Sequence, residues 1–581
     1  MTNDKKVDQF TLDIIKDSLY AIGEEMFISI ARTSKSPVIY ETLDFASALT
    51  DSRGNLLTQG DGVTGFIGLL STMVKETINK FSNKGDLKEG DIIIINDPYS
   101  GGGSHLSDVG VVMPIFYDGE IVAYSANKAH WTEVGGKDPG SWTVDSTEIF
   151  QEGLQFPCIK LFDKGEINQP LVDLIKANVR FPDLSIGDMW AQVAGLKTGE
   201  KRFIELCDKY GKEIVVSAIE RMLKTSEEIS RNEVRKIPDG IYEASDFIDD
   251  DGISDKPLEI KVKITIDGDR FICDFTGSHP QVLGPINVAY AGILSAVRAI
   301  FLAATNPSQD VNDGVFAPLE IIVEEGSILN AKRPAAVSTY WETMVAGEDL
   351  VWKALAPILP SRLSAGHMQS VCGFVIAGNH PETNEPYIAV GPSPGGWGAG
   401  KGKDGESGQF CIGDGETYNI PVEVIETRYG LHVEEYKLLA DGAGAGQFRG
   451  GSGVVRTYKQ LKDGGYFTGT FGRFKYLPWG LNGGKEGSRN MFEVVRSDGS
   501  ISGPYGKYAR HPLNTGDSIR MTTSTGGGYG DPLLRPVEKV IKDVKNEFVS
   551  IEQAKNDYGV ILDSKTLEFK DITSNRKIAE K

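Results

Sequence analysis

The sequence predicts a mixed α/β fold of several domains, ending in a glycine-rich, β-rich C-terminal region. Three observations carry this. The chain has 581 residues, room for roughly three to four units of about 150 residues. Before Gly391, stretches of helical period alternate with stretches of strand period. Glycine is concentrated: 33 of the 68 lie between Gly391 and Gly530, without the Gly-X-Y period of collagen.

The elements follow in order. Leu12, Ile15, Leu19, Ile22, Met26 and Ile30 recur at three and four residues, so Phe10 to Thr33 is a helix with one apolar face. Pro37 marks its exit. Phe45 to Leu49 reads as a strand and Leu69 to Phe81 as a helix. The unbroken apolar run Ile92 to Ile95 is the pattern of a strand buried on both faces. Val109 to Tyr117 and Gly119 to Ala126 form a hairpin around Asp118-Gly119. Helices are expected at Leu171 to Val179 and across Met189 to Lys224. Strict alternation from Leu258 to Ile266, then Asp267-Gly-Asp and Phe271 to Phe275, gives a second hairpin. A helix near Ala289 to Ala304 and a strand near Leu319 to Val323 follow. The lysine- and glutamate-rich tail from Pro536 has helical character. These shifts divide the chain into residues 1–237 (N-terminal α/β), 238–390 (mixed α/β), 391–535 (glycine-rich, β-rich) and 536–581 (helical tail).

Composition narrows the function. The net charge of −20 excludes a generally basic, nucleic-acid-coating protein and gives little attraction to anionic membranes. The longest apolar stretch, Gly292 to Thr305, is interrupted by Arg298 and too short to span a bilayer. The N-terminus lacks the apolar core of a secretory signal, so a cytoplasmic location is expected. Five scattered cysteines without a CxxC pair suit reduced core thiols and argue against a zinc-thiolate site.

Chemistry concentrates around His105, one of only seven histidines. It follows a buried strand and the glycines Gly101 to Gly103, with Asp108 three residues on. His130 ends another strand. His105, Asp108 and His130, with a carboxylate from Glu41 or Asp44, make a mixed nitrogen and oxygen donor set suited to Zn²⁺, Mn²⁺ or Fe²⁺. The same residues also fit a polar loop with a hydrogen-bonded histidine. Glu133, Glu148 and Glu152 are candidate general acids or bases, and each also reads as a solvated carboxylate. Gly395-Gly-Trp-Gly-Ala-Gly400-Lys401 fits seven positions of a phosphate-binding loop. The eighth is Gly402, where Ser or Thr should meet Mg²⁺, and no helical pattern follows, so no nucleotide-binding residues are assigned. No Gly-x-Ser-x-Gly nucleophile motif is present at Gly366 to Ser370 or Gly451 to Gly453.

Many ordered segments resemble the hydantoinase B/oxoprolinase family, the HyuB-like subunits. They include Arg32 to Pro37, Glu41 to Leu49, Asn96 to Tyr99, Gly103 to Asp108, His130 to Gly136 and Glu148 to Leu154. Others are Asp274 to Gln281, Gly284 to Asn287, Pro421 to Tyr429, Gly446 to Gly453 and Gly526 to Pro532. The resemblance implies a subunit of an ATP-dependent hydrolase of hydantoins, 5-oxoproline or lactams, or of a ketone carboxylase acting on acetone or acetophenone. It implies a HyuA-like partner of the actin-like ATPase type that holds ATP and Mg²⁺. The assembly would be a hetero-oligomer such as (αβ)₂, with a further small subunit in a carboxylase. It places a divalent metal on Asp44, His105, Asp108 and His130, with Glu133 or Glu152 moving a proton. The hydrolase is favoured, because acetone carboxylase subunits of this type are longer. A scaffolding subunit with a structural metal is a third reading. Two positions depart from the family pattern. Phe66-Ile-Gly68 stands where many relatives have a histidine before Leu-Gly, and Glu133 stands where aspartate is common.

Overall fold

The computed structural model describes residues 7–81, 85–102, 104–574 and 576. Gly103, the last of the three glycines preceding His105, lies outside the described residues. The chain divides into two compact units. One comprises residues 1–242, 263–340 and 413–420, the other 243–262, 341–412 and 421–581.

The first unit begins with α1 (Gln9–Thr33), the short α2 (Pro37–Tyr40), β1 (Phe45–Asp51), β2 (Leu56–Gln59) and α3 (Leu69–Phe81). It continues with β3 (Ile92–Ile95), the hairpin β4 (Asp108–Tyr117) and β5 (Glu120–His130), β6 (Ile159–Asp163) and β7 (Glu166–Ile167). Then come α4 (Gln169–Asn178), α5 (Pro182–Tyr210) and α6 (Lys212–Val234). Asp8 caps α1 by accepting from the Thr11 N–H, and the predicted apolar stripe of α1 is buried along its whole length.

The seven strands form one sheet in the order β2-β1-β5-β4-β3-β6-β7, and every pair in it is antiparallel. Both faces are covered. On one, α1, α5 and α6 bury Leu19, Ile22, Phe203 and Ile219 against Leu49, Leu57 and Ile115. On the other, α3 buries Leu70, Met73 and Val74 against Ala46, Ala48, Ile93, Ile95 and Val112. The double covering explains why β3 reads as a solid isoleucine run in an antiparallel sheet, where one wet face is more usual. One expectation changes: the helical run across Met189 to Lys224 is two helices. They break at Gly211, whose φ of +88° suits a residue without Cβ.

After β8 (Gly240–Ile248) and β9 (Leu258–Asp267), β10 (Arg270–Asp274) pairs antiparallel with Lys263–Asp267. The helix α7 (Tyr290–Ala304) precedes β11 (Leu319–Ile322), which pairs parallel with β10.

The second unit contains α8 (Trp341–Leu355), β12 (Gly373–Asn379), β13 (Pro386–Gly391), α9 (Val422–Arg428), β14 (Leu431–Leu438), β15 (Val454–Gln460) and β16 (Gly465–Thr470). It continues with β17 (Met491–Val495), β18 (Ile501–Tyr505), β19 (Lys507–Leu513) and β20 (Ser518–Thr522). These strands make two sheets, β13-β12-β16-β19 and β14-β15-β20-β17-β18. The tail carries α10 (Val537–Lys545) and α11 (Ile551–Asn556) as its composition suggests, and also a small hairpin, β21 (Val560–Leu562) and β22 (Phe569–Ile572).

The glycine excess has a structural cause here. Loops from different parts of the sequence stack backbone on backbone. The Gly526 N–H donates to the Gly451 carbonyl at 2.9 Å, and the Gly451 N–H donates to the Trp397 carbonyl at 2.8 Å. A Cβ on Gly451 would stand 1.7 Å from the Glu406 carbonyl oxygen, and one on Gly526 would stand 2.0 Å from that of Trp397. Close main-chain approach, more than turn geometry, demands glycine at these points.

Candidate metal centre

The site is assembled at one end of three neighbouring strands. Asp108 opens β4 and His130 closes β5, and the two are register partners. Phe45, the first residue of β1, pairs with Ala129, which sets Asp44 beside His130. The Asp44 carbonyl accepts from the His130 N–H at 3.0 Å. His105 comes from the loop after β3. Asn96 fixes that loop by donating to the carbonyls of Leu106 (2.7 Å) and Leu154 (2.9 Å) while accepting from the Phe156 N–H. Gly101 turns the chain at φ +90°, and a Cβ on Gly102 would stand 2.5 Å from the Asp97 carbonyl oxygen.

His105, Asp108 and His130 are buried and offer ligand atoms that all lie within 4.8 Å of one another. His105 Nε2 is 3.2 Å from Asp108 Oδ1, and the two imidazole centroids are 4.9 Å apart. His105 Nδ1 lies 3.2 Å from the Ser338 carbonyl. A carbonyl and a carboxylate both only accept, so each ring nitrogen faces an acceptor, and the neutral ring carries its proton on one of them and presents a lone pair from the other. Among the described residues, the buried Nδ1 of His130 has no hydrogen-bond partner.

Electrostatics favours the ligating forms of His105 and Asp108. Burial lowers the His105 pKa, against the pull of Asp108, and so favours the neutral ring. Burial alone would raise the Asp108 carboxyl, but His105, His130 and Lys128 together hold it below the usual carboxylate range. The half-buried Asp44 is pushed up to about 6 by desolvation, with Asp108 adding to the rise and His130 opposing it. Neutral imidazole and ionised carboxylate are the forms that bind a divalent cation. Two donors each about 2.1 Å from a tetrahedral ion are roughly 3.4 Å apart, close to the separation of His105 Nε2 and Asp108 Oδ1. A His130 ring nitrogen without a partner among the described residues, and a His105 ring nitrogen close to a carboxylate, both fit such an ion.

Two further residues belong to this neighbourhood. Lys128 is fully buried on β5, and its ammonium donates to the Gly102 carbonyl. Desolvation lowers its pKa to about 8, against the attraction of Asp108. It precedes His130 by two residues and so shares its face of the strand, a signal present in the sequence. Tyr340 donates its hydroxyl to Asp108 Oδ2 at 3.3 Å, and no local pattern announces it.

Two of the remaining predicted carboxylates, Glu133 and Glu152, have other partners. Glu133 is buried and pairs with the Arg180 guanidinium at 2.6 Å while accepting from the Arg180 N–H. Glu152 is buried and accepts from Ser146 Oγ and from the N–H groups of Val337 and Ser338. Desolvation pushes it up to about 8, opposed by those donors. All five cysteines are buried, and among the described residues none forms a disulfide. Among the described residues no helix is long and apolar enough to cross a membrane. The loop from Gly395 to Lys403 is tied by isolated bridges, Gly395 to Gln409 and Gly400 to Lys403, and the next helix is α9.

A sequence model of the family described as hydantoinase B/oxoprolinase matches residues 8–532. The chain belongs to the hydantoinase B/oxoprolinase family. Within it, the chain is 37% identical to an uncharacterised protein of Methanocaldococcus jannaschii, over 97% of this chain and 98% of that one. It is 32% identical to the caprolactamase subunit beta of Pseudomonas jessenii, over 96% of this chain and 97% of that one. Its fold matches the crystal structure of the ATP-dependent caprolactamase from Pseudomonas jessenii with a TM-score of 0.90, covering 96% and 97% of the two chains at 30% identity. It also matches nucleotide-free acetone carboxylase with a TM-score of 0.90, covering 99% of this chain and 82% of that one. At 19% identity the second likeness is one of fold. Hydrolase and carboxylase members of this fold therefore share the mixed α/β, multi-sheet architecture described above.

Proposed function

We propose that this hydantoinase B family chain is the metal-holding subunit of an ATP-dependent cyclic-amide hydrolase. Its substrate would be a lactam, hydantoin or 5-oxoproline ring phosphorylated by a HyuA-like partner subunit. The observation that carries the reading is the buried His105, Asp108 and His130 group. It occurs in a chain that aligns almost end to end with a caprolactamase beta subunit.

Asp44, His105, Asp108 and His130 would hold the ion, Zn²⁺ or Mn²⁺ by donor type, with Fe²⁺ also compatible. When bound, the ion supplies Lewis acidity toward an amide oxygen or a water. The chain's own residues supply the rest. The Asp108 carboxylate stays ionised, His105 stays neutral, and the burial of His105, Asp108 and His130 keeps bulk water away. Lys128 holds the glycine loop that presents His105.

The test uses the complex co-purified with its partner, given ATP and a lactam or hydantoin. ATP-dependent ring opening is expected. Label from bicarbonate fixed into a ketone-derived acid would overturn the hydrolase reading in favour of the carboxylase. In the same complex, H105A is expected to lower turnover at least about 100-fold with assembly intact. Loss of assembly with normal turnover per assembled complex would instead assign the metal a structural role.

A further inference from the structure

We infer that the segment Val337–Tyr340 is a strap that positions the His105–Asp108 pair, and that Glu152 sets the strap in place. The inference rests on the proposed metal-holding role of that pair.

The strap is fixed at every residue. Glu152 Oε1 accepts from the N–H groups of both Val337 and Ser338 at 3.0 Å, and from Ser146 Oγ at 2.7 Å. Glu152 Oε2 also accepts from Val337 N–H at 3.2 Å. Ser338 Oγ accepts from the Thr143 N–H at 2.8 Å. The Thr339 N–H donates to the Pro285 carbonyl at 2.9 Å, and the Tyr340 N–H donates to the Val337 carbonyl at 3.0 Å. Just before the strap, Asn287 Nδ2 donates to the Ala336 carbonyl at 2.9 Å.

Two handles leave this fixed backbone toward the site. The Ser338 carbonyl lies 3.2 Å from His105 Nδ1 and can accept its proton, which orients the ring and favours the tautomer that leaves Nε2 for the ion. The Tyr340 hydroxyl reaches Asp108 Oδ2, which leaves Oδ1 facing His105 Nε2. One short segment, more than 200 residues away in sequence, thus orients both members of the pair. Outer partners of this kind raise the basicity of a ligating histidine and hold its geometry.

This assigns Glu152 a task other than proton transfer. A general acid or base must present a free oxygen to the substrate. The Glu152 carboxylate is buried, its Oε1 is taken up by three donors, and its Oε2 shares the Val337 N–H. Its effect reaches the site through Val337, Ser338 and Tyr340, as a positioning residue.

The experiment is metal binding by the purified full-length chain, as wild type, E152Q, Y340F and H105A. Zinc affinity is measured by competition with a chelator, and the visible spectrum is recorded after loading with Co²⁺. Wild type is expected to take up zinc and H105A to lose it. E152Q and Y340F are expected to bind zinc about 10- to 100-fold more weakly, with a displaced Co²⁺ absorption band. Melting temperature identifies a variant that fails to fold, and in that case Y340F, which keeps the ring, decides. Wild-type zinc affinity with an unchanged Co²⁺ band in both variants would overturn the inference and leave the metal site standing. A wild-type chain that binds neither Zn²⁺ nor Co²⁺ would overturn the site itself, and the strap with it.

Discussion

At the scale of single residues, the sequence shows what lies on one strand and hides what arrives from elsewhere. His105, Asp108 and His130 were legible because strand ends present functional loops and because few histidines compete for attention. Lys128 could be found only by extending from His130 along the two-residue period they share. Ser338 and Tyr340 were not legible, because their approach depends on tertiary placement of a segment with no periodicity of its own. The second unit offers a separate residue-scale test. Glu342 is buried, accepts from Ser370 Oγ at 2.8 Å, and is pushed by desolvation from an ordinary value near 4.5 up to about 7. A carboxyl with a raised folded pKa binds more protons folded than unfolded. Its stabilisation is complete below pH about 4.5 and is lost as pH rises through about 7. E342Q cannot ionise and is expected to escape that loss. Relative to wild type it should gain on the order of 3 kcal/mol between acid and pH about 8. Urea unfolding of both proteins across that range checks this, and parallel pH curves would refute it.

At the scale of elements, local rules performed well where the chain signals its own turns. Asp118 and Gly119 both adopt positive φ, the requirement of a tight two-residue hairpin, and β4 and β5 extend on either side of them. The same hairpin runs on to His130, beyond the alternation that located it, because the buried end of β5 is lined by Lys128 and His130 rather than by apolar side chains. The glycine-rich region shows the opposite case. Glycine density signals a constraint without naming it, since turns and backbone contacts ask for the same residue. The structure decides for contact at Gly451 and Gly526. Substitution there meets main-chain atoms, which cannot rotate away as a side chain would. G451A is therefore expected to destabilise by at least about 3 kcal/mol, seen as a large fall in melting temperature or as insoluble protein. A G451A protein melting within a few degrees of wild type would show that the stacked loops can part at little cost.

At the scale of the whole chain, composition suggests a linear series of parts, whereas the polypeptide crosses between two compact units several times. Such interleaving leaves little for composition to detect, because the segments at 243–262 and 413–420 that change unit are short. The residues of the proposed site fall in one unit. Asp44, His105, Asp108, His130 and the strap all belong to the first unit, and the stretch closest to a phosphate-binding loop belongs to the second. That stretch lacks what phosphate binding needs. Gly402 sits at positive φ where a Ser or Thr hydroxyl should be, and no helix begins after it to aim its N–H groups at an anion. Lys401 is exposed at the tip of the Gly400 to Lys403 turn. If ATP is handled by the partner, Lys401 contributes nothing to it. K401A in the co-purified complex is then expected to keep its ATP-dependent turnover, and its KM for ATP, within about twofold of wild type. H105A in the same preparation should lose turnover while its KM for ATP stays the same. A rise of about tenfold or more in the KM for ATP on K401A would place nucleotide binding on this chain and overturn the division of labour.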